Sequence, residues 1–330
     1  MFSKFTKENI SYYIDNKYNL DDDNSLILLL NDEKAKILNF IKNNNIDIKY
    51  ELNANMNISK YCDSYFVETK IVSQKINSMG NTIIIKWNNS KNKIILKTND
   101  ENYNILLLKI KIIIYIIEYL ENKKNLNIIL VLTDLEKYIP NNDEIIDVIH
   151  INSGYSYNNT IFIWRYEEFE KVFFHEIIHV FRLDKRDDKT DKIINSKFEN
   201  YFEAMTDIYA IIYHIIYLSL ITNISPKLLL EIELSFIKNQ AMLMNNIFNL
   251  NEWTLNEKIT INQNSSGFSY YILKYLLLDY ILKLKKKNLL KYLKNINYSI
   301  LLNSIMHKKF IKYNYNNIKS LRMTLFQLKY

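Results

Sequence analysis

The chain has 330 residues, 43 Lys and Arg against 36 Asp and Glu, and is 48% apolar and 14% aromatic. That apolar content can bury a core, which excludes a disordered chain, and the length suits about two domains or one large domain with subdomains. Three glycines form no GxGxxG, GxxxxGK[ST] or GxSxG, and Cys62 is the single cysteine, so dinucleotide, P-loop, nucleophile-elbow, disulfide, cysteine-zinc and iron–sulfur chemistries are closed.

The N-terminus turns polar at once (Phe2-Ser3-Lys4-Phe5-Thr6-Lys7), so no signal peptide is expected and the chain reads as intracellular. Residues 1–65 form an N-terminal region of unclear role, with a helix-like run near Leu26–Asn44. Residues 66–183 are expected to form a sheet-containing subdomain. Thr82–Trp87 and Lys93–Thr98 flank a five-residue polar loop and predict a hairpin. Glu101–Asn122 predicts a helix, and the apolar, β-branched run Asn127–Thr133 a buried strand. Two more strands are expected at Ile145–Ile151 and Thr160–Trp164, joined by the loop Asn152-Ser153-Gly154-Tyr155, and then a helix over Glu167–Arg182. Residues 184–330 are expected to be helical, starting with a charged, solvated connection (Asp184–Asp191) and a long helix from about Phe198 to Thr222. The apolar stretches Ile105–Leu120 and Ile208–Thr222 are interrupted by polar residues and read as buried core helices rather than membrane spans.

Residues 175–179 read His175-Glu176-Ile177-Ile178-His179, an HExxH. With only five histidines in the chain, chance supplies about 0.005 such motifs. On a helix, positions i and i+4 share a face, so both imidazoles can reach one metal ion, with Glu176 beside them to take a proton from an activated water. A catalytic tetrahedral metal takes a third protein ligand and leaves the fourth position open. Positions 182 and 185 are Arg and Lys, which removes a third histidine at HExxHxxGxxH spacing. The following helix carries Glu203 and Asp207, four apart and again on one face. Asp184, Asp187, Asp188 and Asp191 in the connection are the competing carboxylates.

The run Glu203-Ala204-Met205-Thr206-Asp207, placed after HExxH, resembles the E-[AS]-x-x-D pattern of the thermolysin-like gluzincins. The resemblance covers residues 125–222. It implies an α+β zincin-like metalloprotease core with a mixed sheet, an active-site helix and a helical C-terminal subdomain. It also implies a Zn²⁺ held by His175, His179 and Glu203, with Asp207 accepting from the Nδ1–H of His175. Asn152-Ser153-Gly154, Ile163-Trp164-Arg165-Tyr166-Glu167-Glu168 and Lys171-Val172-Phe173-Phe174-His175-Glu176 are similar to HExxH proteins encoded by large DNA viruses, insect poxviruses among them. The 46 Asn residues and the Ile, Lys and Tyr excess agree with an AT-rich genome. This second resemblance implies a viral protein in host cytoplasm.

Gluzincins usually supply a downstream His or Tyr to the oxyanion. The candidates are Tyr270, Tyr271, His214 and His307, and Tyr270 in Gly267-Phe268-Ser269-Tyr270-Tyr271 is preferred. His214, two turns past Asp207 in an apolar helix, reads better as a core histidine. Thr160–Trp164 is expected to be the edge strand to which a protein or peptide substrate adds, as in zincins. Residues 274–330 hold 13 Lys and Arg and one acid, Asp279, a basic tail suited to nucleic acid or an anionic membrane surface, or simply a solvated face. The expected function is zinc-dependent peptide hydrolysis with Glu176 as general base. The alternative is a catalytically inert zincin-fold scaffold or virion protein that binds nucleic acid or membrane through that tail.

Overall fold

A computed structural model describes residues 2–52, 57–88, 91–99, 103–120, 125–141, 144–184, 201–250, 260–296, 298–305 and 320–329. In chain order these form α1 (Lys4–Asp15), α2 (Ser25–Asn43), β1 (Ile48–Leu52), a 3₁₀ turn (Ser59–Cys62), α3 (Thr69–Ser78), β2 (Asn81–Trp87), β3 (Asn92–Thr98), α4 (Tyr103–Tyr119), β4 (Asn127–Thr133), α5 (Val148–Ile151), β5 (Gly154–Tyr157), β6 (Thr160–Arg165), α6 (Phe169–Phe181), α7 (Tyr201–Thr222), α8 (Pro226–Ile247), a π-helical turn (Ser269–Leu273), α9 (Lys274–Ile281), α10 (Leu289–Asn295) and α11 (Tyr298–Ile305). The architecture is mixed α+β.

Six strands form one mixed sheet in the order β1-β2-β3-β4-β6-β5. β3, β4 and β6 run parallel, while β1, β2 and β5 join antiparallel. The central strands are continuous apolar runs because both their faces are covered. Ile94, Leu96, Ile128, Leu130, Ile161 and Ile163 face the main core with α4, α6 and α7. The alternate residues Ile95, Ile129, Val131, Phe162 and Trp164 pack beneath α3 and the 3₁₀ turn with Cys62, Val72 and Ile76. Phe202–Thr222, long and apolar enough to cross a membrane, has 89% of its most apolar window buried inside the protein, as a core helix would.

Three expectations change. Ile145–Ile151 is not a strand. Asp147 accepts from Val148 N at 2.6 Å, His150 Nδ1 accepts from Asp147 N at 3.0 Å, and this reciprocal cap starts the short α5. The strand lies instead at Gly154–Tyr157, whose first two residues were expected in the loop 152–155, so Thr160–Trp164 sits inside the sheet and β5 is the edge. Gly154 is required there. A Cβ on it would stand 2.9 Å from Val172 Cγ1 and 3.1 Å from the Phe162 carbonyl, so only glycine lets β5 lie this close to α6. Finally, Asp184 is 4% exposed rather than solvated, while residues 185–191 lie outside the described residues.

Residues 320–329 are almost wholly buried and run behind the start of α6. Met323 N donates to Glu168 at 2.6 Å, Arg322 pairs with Glu167 at 2.9 Å, and Leu325 N donates to Glu233 at 3.2 Å. Thr6 Oγ1 donates to the Leu325 carbonyl at 2.8 Å, which ties this segment to α1. Buried Lys137 completes the group by pairing with Glu168. The two glutamates precede α6 at its positive dipole end, where anions are favoured.

Candidate metal centre

Helix α6 places Lys171, His175 and His179 one turn apart along one face. Its other faces are filled by Phe173, Phe174, Ile177 and Ile178, all fully buried. Arg182 ends the helix in the left-handed region (φ 54°). Its N–H bonds the His179 carbonyl and Leu183 N bonds the Ile178 carbonyl, which turns the chain sharply and brings Asp184 back under His179.

Helix α7 packs along α6 and supplies Glu203. His175 Nε2 lies 3.0 Å from Glu203 Oε2, His179 Nε2 lies 3.3 Å from the same oxygen, and the two Nε2 atoms are 3.1 Å apart. Each imidazole is held from behind. His175 Nδ1 is 3.0 Å from Asp207 Oδ1, and His179 Nδ1 is 2.6 Å from Asp184 Oδ2. Thr206 donates to that same Asp184 oxygen at 3.0 Å. A metal ion requires each ring in the tautomer that donates Nδ1–H to its carboxylate, and both Nε2 atoms would then turn lone pairs inward, toward each other and toward a carboxylate oxygen. Three such donors repel unless a cation, either a proton or a metal ion, sits among them, and two imidazoles with one carboxylate suit a borderline divalent ion. Among the described residues, this is the one group of three or more potential ligand side chains with donor atoms within 4.8 Å of one another. The residues fit a metal ion.

These groups shift one another: burial works to lower His179, but Glu203 and Asp184 outweigh it and hold the ring well above the usual histidine range. Burial and the facing His179 press His175 down to about 4, though Glu203 opposes this. For Glu203, burial is outweighed by the two histidines, which hold its carboxyl well below the usual range. Glu176 is 6% exposed, and burial pushes it up to about 7, against the opposing pull of His179 and a Ser156 hydrogen bond. A carboxyl in that range can both take and release a proton near neutrality.

The site opens into a cleft of about 1280 Å³ lined by Phe66, β5 and the turn after it, the end of α6, Glu203 and Tyr270. Tyr270 sits in the π-helical turn, an irregularity that often marks functional positions. It donates from its hydroxyl to Glu203 Oε2 at 3.0 Å, and its ring lies 5.6 Å from that of His175.

The structure brings His175, Glu176, His179, Glu203, Asp207 and Tyr270 together. It separates the other oxyanion candidates. Tyr271 is buried and donates to the Leu321 carbonyl at 2.5 Å. His214 is a core histidine stacked on Tyr217, pressed down to about 3 by burial. His307, Asp187, Asp188 and Asp191 lie outside the described residues. Asp184, weighed as a ligand, touches the outer nitrogen of His179 instead. Sequence reasoning missed this role, and also missed Lys171 and Lys274, both bonded to Asp207. The i−4 spacing of Lys171 from His175 was the available signal; nothing local marked Lys274.

The basic tail is also revised. Lys274 and Arg322, two of its 13 cations, are turned inward onto Asp207 and Glu167. Lys283, Lys285, Lys286, Lys287 and Lys291 remain exposed. Lys308, Lys309, Lys312 and Lys319 lie outside the described residues.

No family model, curated protein or solved structure matches this chain.

Proposed function

We propose that the chain is a zinc-dependent metallopeptidase of zincin-like architecture, with His175, His179 and Glu203 as metal ligands and Glu176 as general base. The observation that carries this reading is the convergence of two imidazole Nε2 atoms and one carboxylate oxygen beside a buried glutamate, at the floor of an open cleft. A bound Zn²⁺ would supply Lewis acidity there, polarising a carbonyl and acidifying water. Glu176 takes a proton from the attacking water as the new C–O bond forms. It then delivers that proton to the amine as the C–N bond breaks. Tyr270 offers a hydroxyl to the oxyanion in between. Asp207 and Asp184 hold the two imidazoles in the tautomer that leaves Nε2 free.

The substrate reading follows from β5. As the last strand of the sheet, bordering the cleft, it offers main-chain donors and acceptors to an extended peptide. Successive side chains of a strand point to opposite faces. Ser156 points toward Glu176, while Tyr155 stacks with Phe66 at 6.4 Å. Alternate substrate side chains would therefore meet either the site or this aromatic surface.

The test is purified protein assayed for metal content and for cleavage of an unfolded protein substrate. Wild type should hold about one zinc per chain and lose activity to a chelator. Glu176→Gln should keep the zinc and lose about 10²–10⁴ of the rate, the usual contribution of a positioned acid–base group. Full activity in Glu176→Gln would refute the mechanism. A metal-free wild type with salt-sensitive polyanion binding would favour the inert scaffold.

A further inference from the structure

Behind His175, Asp207 is fully buried, yet it is contacted by two lysines that are equally removed from solvent. Lys171 Nζ bonds Oδ1, the oxygen that also takes His175 Nδ1, and Lys274 Nζ bonds Oδ2 at 2.7 Å. The lysine side chains are 0% and 2% exposed, and that of Asp207 is 0% exposed. They arrive from different elements. Lys171 lies one turn before His175 on α6, and Lys274 opens α9 directly after the turn that carries Tyr270.

Two buried lysines are an expensive way to fill a core, because apolar residues of similar volume generally do so at no loss of stability. Any positive charge on them would oppose a dication on the far side of the imidazole. What they supply is geometry. One ring N–H leaves a carboxylate free to rotate about its Cβ–Cγ bond, whereas donors on both oxygens fix its plane.

We propose that Lys171 and Lys274 are positioning residues for the metal site: they clamp both oxygens of Asp207 so that its carboxylate holds the His175 ring on target. This rests on the metal-site reading above. It couples the ligand helix α6 to the start of α9, directly after the π-helical turn that presents Tyr270, so one carboxylate sets both walls of the site.

Orientation and charge predict opposite signs. If the lysines act by orientation, removing one weakens metal binding; if only their charge matters, removal tightens it. The experiment measures the zinc dissociation constant of the full chain by competition with a chromophoric chelator, for wild type, Lys274→Met, Asp207→Asn and the double variant. Thermal unfolding reports the folded fraction of each. Lys274→Met should bind zinc about tenfold more weakly, within the 10–100-fold usual for partners of metal-binding histidines. In the Asp207→Asn background the same change should cost nothing, because the group it acts through is altered. Lys274→Gln, which keeps an N–H donor without the charge, should recover most of the affinity, and serves alone if the Met variant does not fold. Unchanged or tighter binding in Lys274→Met, or an equal loss in both backgrounds, overturns the clamp while wild type still binds zinc. A wild type that binds none removes the metal-site reading itself, and the clamp with it.

Discussion

Replacing Asp184 by Ala separates the two carboxylates that compete for the third ligand position. Asp184 is fixed to the outer nitrogen of His179 at 2.6 Å and to Thr206 at 3.0 Å, and its side chain is 3% exposed. Its removal leaves the His179 ring free to turn but leaves all three inward donor atoms in place. The expected loss of zinc affinity is 10–100-fold, or about 1.4–2.7 kcal/mol. Thr206, fully buried, loses its acceptor, and an orphaned buried hydroxyl costs a further ~1–3 kcal/mol of fold stability, visible as a lower Tm. Glu203→Ala removes the oxygen that both Nε2 atoms face, so its affinity loss should exceed that of Asp184→Ala by at least about tenfold. Chelator competition at one pH and one ionic strength, on the folded fraction of each variant, gives both numbers. The reverse ranking, with Asp184→Ala costing more than Glu203→Ala, would make Asp184 the ligand and refute the assignment.

His214→Leu should keep metal content and peptidase rate within about twofold, because its Nε2 has no partner in the core and an apolar side chain removes a buried unsatisfied atom; a large loss of rate would return it to the list of oxyanion groups. Gly154→Val forces a Cβ into Val172 and should destabilise the fold by about 1–3 kcal/mol, read as a lower Tm, since overpacking has that usual cost; an unchanged Tm would mean β5 does not lie as described. Phe66→Ala should lower kcat/KM several-fold for peptides with large apolar side chains at alternate positions and leave all-small peptides nearly unaffected, and a uniform effect on both would remove Phe66 from the binding surface. Lys137→Met leaves Glu168 buried without its cation and should cost about 3–5 kcal/mol in denaturant unfolding; a loss under 1 kcal/mol would show that Met323 N and the α6 dipole suffice.

Legibility of the chain followed the reach of each signal. The strands Asn81–Trp87, Asn92–Thr98 and Asn127–Thr133 were visible because burial on both faces writes an uninterrupted apolar run. His175, Glu176 and His179 were visible because one helical turn sets their spacing. β5 was not, since Gly-Tyr-Ser-Tyr has neither apolar alternation nor length, and its pairing is dictated by β6 and by the space Gly154 leaves for α6. β1, exposed along most of its length, left no burial pattern to read. Asp184 looked solvated among charged neighbours, and only the reversal of the chain at Arg182 turns it inward. Lys274 looked like one more cation in a Lys-biased tail. Its partner is 67 residues away, beyond any periodicity.

The segment 320–329 also sets a timetable. Glu167, Glu168 and Glu233 receive Arg322, Met323 N and Leu325 N only when this segment arrives, about 140 residues after α6 has been made. At ~5–20 residues per second, synthesis leaves an interval of roughly 7–30 s in which the HExxH helix exists but the charges at its start lack these partners. Closing so distant a contact carries a loop entropy that grows only slowly with length, so the last step is late rather than costly. Whatever chemistry the HExxH helix supports would thus gain these charge partners only once residues 320–329 have been made.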